Sequence, residues 1–273
     1  MERIKRFQIR GIDGQVQRVS FNGRLVDFWN PGEKSAHLLI ANDGQNIFDR
    51  YTATRRRTWK MVHSALRVSR ELGIVPPAII GVFHSRSPEN PWGRILDLTP
   101  QDPFQNEVTP KERISGEISI DDLQGNSYLN QITEEIVPAI CNELTLDIGS
   151  IDKAVIGSSM GGLASLYAIG KRPDFFTTAL ALSTHWSAGE RPLVDALINA
   201  LPTPGRHKIW MSHGTRGLDA HYGPFQRYAD QKMMQAGWTI DEDFSRRIYK
   251  GAGHNAKSWA RYLDEPMKFW LSN

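Results

Sequence analysis

Residues Ala154–Tyr167 read AVIGSSMGGLASLY, with two adjacent serines between an apolar run and a run of small residues. A serine hydroxyl is a poor nucleophile unless a base takes its proton and the scaffold holds its oxygen outward. A sharp strand-to-helix turn does the second job. Small residues two positions either side of the serine relieve the crowding of such a turn, which gives the pattern G-x-S-x-G. Only one register fits. Gly157-Ser158-Ser159-Met160-Gly161 centres on Ser159, whereas centring on Ser158 would demand glycine where Ile156 and Met160 stand. The bland alternative is a glycine-softened packing joint between a strand and a helix.

The neighbouring segments favour the turn. Lys153–Ile156 is a short apolar strand, and Leu163–Gly170 a small-residue helix that ends before Pro173. Farther out, Ala36–Ala41, Ala78–Phe83, Thr178–Leu182, Ile209–Ser212 and Phe244–Tyr249 read as strands. Helical patterns fall at Trp59–Leu72, Ile132–Leu144 (with Pro138 as a kink), Leu193–Leu201, Gly223–Ala236 and Ala256–Leu271. Before them come three short strand candidates, Lys5–Arg10, Val16–Asn22 and Arg24–Trp29, separated by turn signals at Gly14 and Asn22-Gly23. Continuous apolar strands alternating with helices predict a mostly parallel central sheet with helices on both faces, here with an antiparallel N-terminal start. The expected organisation is one α/β domain over residues 1–273. The exception is the stretch 84–128, rich in Pro, Asp and Asn and without periodicity, which reads as a long functional loop.

Composition narrows the function. Of 273 residues, 40% are hydrophobic and 23% charged, with a formal net charge of +3, as in ordinary globular chains. No apolar run approaches the roughly 18 residues of a membrane span. The N-terminal MERIKRFQIRGIDG has charges without a following apolar segment, so no signal peptide is expected. The single cysteine, Cys141, excludes an internal disulfide and points to a reducing compartment, the cytoplasm by default. The triplet Arg55-Arg56-Arg57 reads as a solvated helix approach, and the mixed charges elsewhere disfavour nucleic acid.

A serine nucleophile needs a histidine base and an acid to orient it, in the chain order Ser, acid, His for this kind of sheet. His185 and His213 both follow strands and compete for the role. His185 leaves no space for an intervening acid, and His213 reads as a strand-end residue beside the pocket. His254, in Gly251-Ala252-Gly253-His254-Asn255 after the last strand, is the expected base. The loop after Ile209–Ser212 contains Asp219, the only carboxylate between Asp195 and Asp230; its bland reading is a helix N-cap. Asp241, Glu242 and Asp243 read as surface charges. For the oxyanion, one backbone donor is expected at Met160, at a helix N-terminus, and a second in the loop Asn42–Asp49. A tight turn is the ordinary reading of Asp43-Gly44.

These motifs together resemble the esterase D / enterochelin-esterase-like family of α/β-hydrolases. The matching pieces are Asp43-Gly44-Gln45-Asn46-Ile47-Phe48-Asp49, Gly157-Ser158-Ser159-Met160-Gly161-Gly162, Leu182-Ser183 with Trp186, Gly214-Thr215 leading to Asp219, and Gly253-His254. The resemblance implies the α/β-hydrolase fold, a Ser159–Asp219–His254 triad, and the backbone N–H groups of Gln45 and Met160 as the oxyanion hole. It implies a small-molecule carboxylic ester as substrate, with no cofactor and no metal. The chain departs from many relatives by carrying Arg216-Gly217 directly after the Gly-Thr turn, so that Asp219 must reach the histidine from farther along. The Arg94–Pro100 stretch looks like the family's substrate-side loop, and substrate contacts are expected from the 84–128 loop, with Arg94, and from Trp186. Siderophore or feruloyl ester hydrolysis is the specialised alternative, and a non-catalytic binding module on the same scaffold the alternative of another class.

Overall fold

A computed structural model of the protein describes residues 1–32, 34–111 and 118–272. Among them, nine strands form a mixed sheet. They are β1 (Glu2–Phe7), β2 (Val16–Phe21), β3 (Arg24–Trp29), β4 (His37–Asn42), β5 (Ala78–Val82), β6 (Asp152–Ser158), β7 (Thr178–Leu182), β8 (Lys208–Arg216) and β9 (Phe244–Gly253). The chain divides into two compact units. The first comprises Met1–His84, Asn130–Ala154 and Asn255–Asn273, the second Ser85–Leu129 and Val155–His254.

The first unit holds the antiparallel start. β1, β2 and β3 form a meander, β3 runs antiparallel to β5, and β5 runs parallel to β4. Asn22 and Gly23, both at positive φ, make the two-residue turn between β2 and β3. β4 and β5 are near-continuous apolar runs and almost wholly buried, as strands covered on both faces must be. One polar pair interrupts this interior. Arg18 and Asp27 stand opposite each other on β2 and β3, joined by two hydrogen bonds of 2.6 and 2.7 Å. Asp49 adds a second carboxylate 3.6 Å from Arg18. The Arg18 guanidinium also lies over the rings of Phe7 and Phe83. Helix α1 (Met61–Leu72) buries Met61, Val62, Ala65 and Val68 on one face.

In the second unit β7, β8 and β9 are parallel. The helices α2 (Gly93–Leu98), α3 (Gln101–Asn106), α4 (Gly125–Asn130) and, in the first unit, α5 (Val137–Glu143) follow in chain order. They are succeeded by α6 (Met160–Lys171), α7 (Glu190–Asn199), α8 (Gly223–Gln235), α9 (Ala256–Tyr262) and α10 (Asp264–Leu271). No helix of the described residues is long and apolar enough to cross a membrane.

Four local expectations change. β1 begins at Glu2 rather than Lys5, with a bulge between Arg3 and Lys5; its charged, exposed residues carry no alternation that could set a register. Pro138 lies in the first turn of α5, directly after a π-helical turn at Gln131–Ile136, where its missing N–H costs nothing. The final helix is two helices. Pro266 cannot donate to the carbonyl of Tyr262, and the hydrogen-bond ladder breaks there. The stretch 84–128 is partly helical, holding α2, α3, a 3₁₀ turn at Ile120–Asp122 and most of α4, while residues 112–117 lie outside the described residues. These helices are too short to print a hydrophobic period. Polar groups pin the segment instead: the buried Asp97 accepts from the Ser85 N–H at 2.6 Å, and the exposed pair Asp102–Lys171 closes at 2.7 Å.

Breaking a buried ion pair strands the surviving charge. Asp27→Ala should therefore cost about 3–5 kcal/mol in urea unfolding, toward the lower end because Asp49 remains near Arg18. The double variant Arg18→Met/Asp27→Leu should recover most of that loss.

Candidate active site

β6 brings the chain to Ser159 as an almost fully buried strand, and α6 leaves from Met160. Between them the direction must reverse within one residue. Ser159 has φ 59° and ψ −122°, a backbone region that side-chain-bearing residues rarely adopt and that costs on the order of 1–3 kcal/mol. The glycine at Gly157 makes the turn possible, because a Cβ there would overlap the carbonyl of Gly161. The strained residue is held from three sides. Its N–H donates to Leu182 O at 2.9 Å, and its carbonyl accepts from the N–H groups of Gly162 (3.0 Å) and His185 (3.3 Å). Met160 opens α6, so its N–H has no acceptor within the helix and sits at the positive end of the dipole.

Asp219 lies in the second unit with Ser159, in a 3₁₀ turn (Gly217–His221) that follows β8. Its side chain is 1% exposed. One oxygen, Oδ1, is 2.6 Å from His254 Nδ1. The other, Oδ2, accepts from the Gly214 N–H at 2.7 Å and from Ser183 Oγ at 2.8 Å. Burial pushes the Asp219 carboxyl upward, but the bond and charge of His254, with the Gly214 and Ser183 donors, outweigh it and hold it below the ordinary carboxylate range. Gly214 is indispensable in two ways. A Cβ there would overlap the backbone of Ala252 on β9 and stand 2.8 Å from Asp219 Oδ2.

These bonds join the three candidates. Ser159 N–H reaches Leu182, the next residue Ser183 reaches Asp219, and Asp219 reaches His254. The His254 side chain remains 17% exposed, which leaves its ring reachable from outside. The competing histidines are engaged elsewhere. His185 Nδ1 meets Tyr222 Oη at 2.6 Å, and His213 Nδ1 donates to the Gly214 carbonyl at 2.6 Å.

Gln45 belongs to the first unit, in a 3₁₀ turn (Gly44–Asn46) directly after β4. Its amide donates to Asp43 Oδ1 at 3.2 Å, and its carbonyl accepts from Thr52 Oγ1 at 2.8 Å. Arg94 is half-buried on α2. Trp186 is 0% exposed, and its indole N–H donates to Gln226 Oε1 at 3.2 Å.

Two strands run farther than their apolar residues suggest. β8 continues through His213-Gly214-Thr215 to Arg216, and β9 through Gly251-Ala252-Gly253, because Arg216 pairs with Gly253 past an irregularity at Gly214. That extension carries Asp219 to His254 despite its later position in the loop. Sequence reasoning did not assign Ser183 or Gly214 as donors to the acid, and passed over Tyr222. A donor's target is fixed only by which strands lie side by side, and that is not written in either residue.

A profile of the family described as "Putative esterase" matches residues 122–270, a range that includes Ser159, Asp219 and His254. The chain belongs to this esterase D / enterochelin-esterase-like family. The Bacillus subtilis protein YbbA, described as uncharacterized, is 27% identical over 156 residues. That match covers 54% of this chain and 60% of YbbA, so it spans less than two thirds of the relative's length. Among solved structures, the siderophore hydrolase EstA from Aspergillus nidulans superposes with a TM-score of 0.63 at 19% identity, covering 98% of this chain and 95% of EstA. An IroE-like serine hydrolase from Shewanella oneidensis gives 0.67 at 17% identity, with 98% and 80% covered. The enterochelin esterase from Shigella flexneri gives 0.66 at 15% identity, with 97% and 60% covered. The likeness establishes a shared fold, that of the α/β-hydrolases.

The lowered Asp219 carboxyl has a consequence for stability. Its folded value lies below its unfolded one, so its contribution is full above about pH 4, the ordinary carboxylate value, and is lost as pH falls through the lowered folded value. The unfolding midpoint of Asp219→Asn should therefore lie below wild type at pH 7, with the gap narrowing as the pH falls below the ordinary carboxylate value. Thermal melts across that range measure it.

Proposed function

We propose that this family member is a serine carboxylesterase working through an acyl-enzyme. The observation that carries the reading is the bonded path from the strained Ser159 backbone through Leu182-Ser183 to Asp219 and on to His254 Nδ1. In this reading His254 takes the Ser159 proton as Oγ attacks the ester carbonyl, and Asp219 fixes the imidazole tautomer and stabilises its positive charge. The tetrahedral oxyanion is met by the backbone N–H of Met160 at the N-terminus of α6. The intermediate collapses, the C–O bond breaks, and the alcohol leaves with the proton from His254. Water, deprotonated by His254, then attacks the acyl carbon; the bond to Ser159 Oγ breaks, His254 returns the proton to Oγ, and the carboxylic acid leaves.

Three lines support it: membership of an esterase family, the positive-φ serine at the mouth of α6, and a buried carboxylate whose donors all favour its ionised form. A second reading concerns the substrate. EstA is named as a siderophore hydrolase, and Shigella relatives of the same fold as enterobactin esterases. A siderophore ester is therefore the specialised substrate to set against simple carboxylic esters.

The test is a panel of short and long acyl p-nitrophenyl esters, methyl ferulate and a catecholate trilactone. Wild type should turn over at least one of them. Ser159→Ala should abolish that turnover, and Asp219→Asn should lower it by about 10³–10⁴-fold, while Ser158→Ala stays within about threefold of wild type. Equal rates for wild type and Ser159→Ala would end the reading.

A further inference from the structure

The carboxylate of Asp219 holds one atom of the His254 ring. The orientation of the ring about that contact sets the place of Nε2, the atom that must face the serine hydroxyl in the esterase reading. Tyr222 is 0% exposed, and its ring stands edge-on to the His254 imidazole, with centroids 5.8 Å apart and planes at 76°. Its own placement is set at both ends. The backbone N–H donates to the Asp219 carbonyl at 3.1 Å, and the hydroxyl meets His185 Nδ1 at 2.6 Å. His185 in turn donates its backbone N–H to the carbonyl of Ser159 at 3.3 Å. All these residues lie in the second unit.

We propose that Tyr222, fastened by His185, is the positioning residue that sets the His254 ring relative to Ser159. The inference rests on the esterase reading above. Tyr222 touches the acid through its backbone, the base through its ring, and the nucleophile's backbone through His185. A buried tyrosine that only filled space would need none of these connections. An edge-to-face ring contact has a defined geometry that a flexible aliphatic side chain cannot reproduce. Tyr222 takes no proton from substrate; it acts through His254. The Tyr222 hydroxyl and the His185 ring are one device, so removing either releases the same constraint.

The experiment is a double-mutant cycle with kcat and KM measured on the best ester of the panel, at a temperature where each variant is folded by thermal melt. Tyr222→Phe and His185→Ala should each lower kcat about fivefold with KM within about twofold, and their combination should be no worse than the poorer single. Tyr222→Leu, which removes the ring, should lower kcat about a hundredfold, the scale of a misplacement near 1 Å. Retention of kcat within about twofold in Tyr222→Leu, or single effects that multiply in the double variant, would overturn the proposal. Should Tyr222→Leu fail to fold, the Phe/Ala cycle decides alone. If wild type shows no Ser159-dependent turnover, the esterase reading has failed and the imidazole signals of His254 by NMR decide the positioning role separately. Exchange broadening of the ring carbon-bound proton signals in Tyr222→Leu, with the Asp219-bonded Nδ1–H retained, supports it; signals as sharp as in wild type overturn it.

Discussion

A carboxylate with almost no contact with water must be given donors, or its charge costs several kcal/mol. Asp219 is that carboxylate, and the second unit is organised around its satisfaction. Its donors come from the ends of three parallel strands: Ser183 just after β7, Gly214 within β8, and His254 just after β9. Remove the side-by-side order of these strands and no pair of donors survives. Gly214 shows how tight the arrangement is, since the same bare Cα admits both the neighbouring strand and the carboxylate. The requirement to satisfy one buried charge thus dictates local features that look unrelated along the chain.

Ser159 illustrates the complementary principle. Its backbone stores strain that relaxation would relieve, and the surrounding bonds to Leu182, Gly162 and His185 prevent relaxation. Ser159 is itself buried, 8% exposed, beside the still more buried Ser158. The energy stored in the turn comes from the packing of β6 and α6, both nearly all buried. Held in this way, the Ser159 backbone cannot relax without disturbing both elements.

Much of this was legible beforehand, and for identifiable reasons. Register alone separated Ser159 from Ser158, because glycine spacing is a steric fact that does not depend on distant contacts. β3 and β7 match their expected bounds residue for residue, since continuous or alternating apolar residues ended by turn signals mark them. Asp219 was named as the acid, yet its reach to His254 depended on β8 and β9 extending through glycine-rich segments that carry no apolar pattern. β1 slipped for the same lack of pattern. The burial of Trp186 and its bond to Gln226 are likewise set by elements distant in sequence. Local rules carried the motifs, and pairing between strands decided the contacts.

The spacing of the candidate triad along the chain has a further consequence. Asp219 and His254 are 35 residues apart and meet only when β9 has docked beside β8, with α8 between them in sequence. Closing such a loop to form a parallel pair is among the slower steps available to a folding chain. The serine turn, by contrast, is local to β6 and α6. A nascent or partly unfolded chain can therefore possess the bent serine while lacking the charge partner of its histidine. The Asp219–His254 contact is then a property of the finished molecule, absent from partly assembled forms.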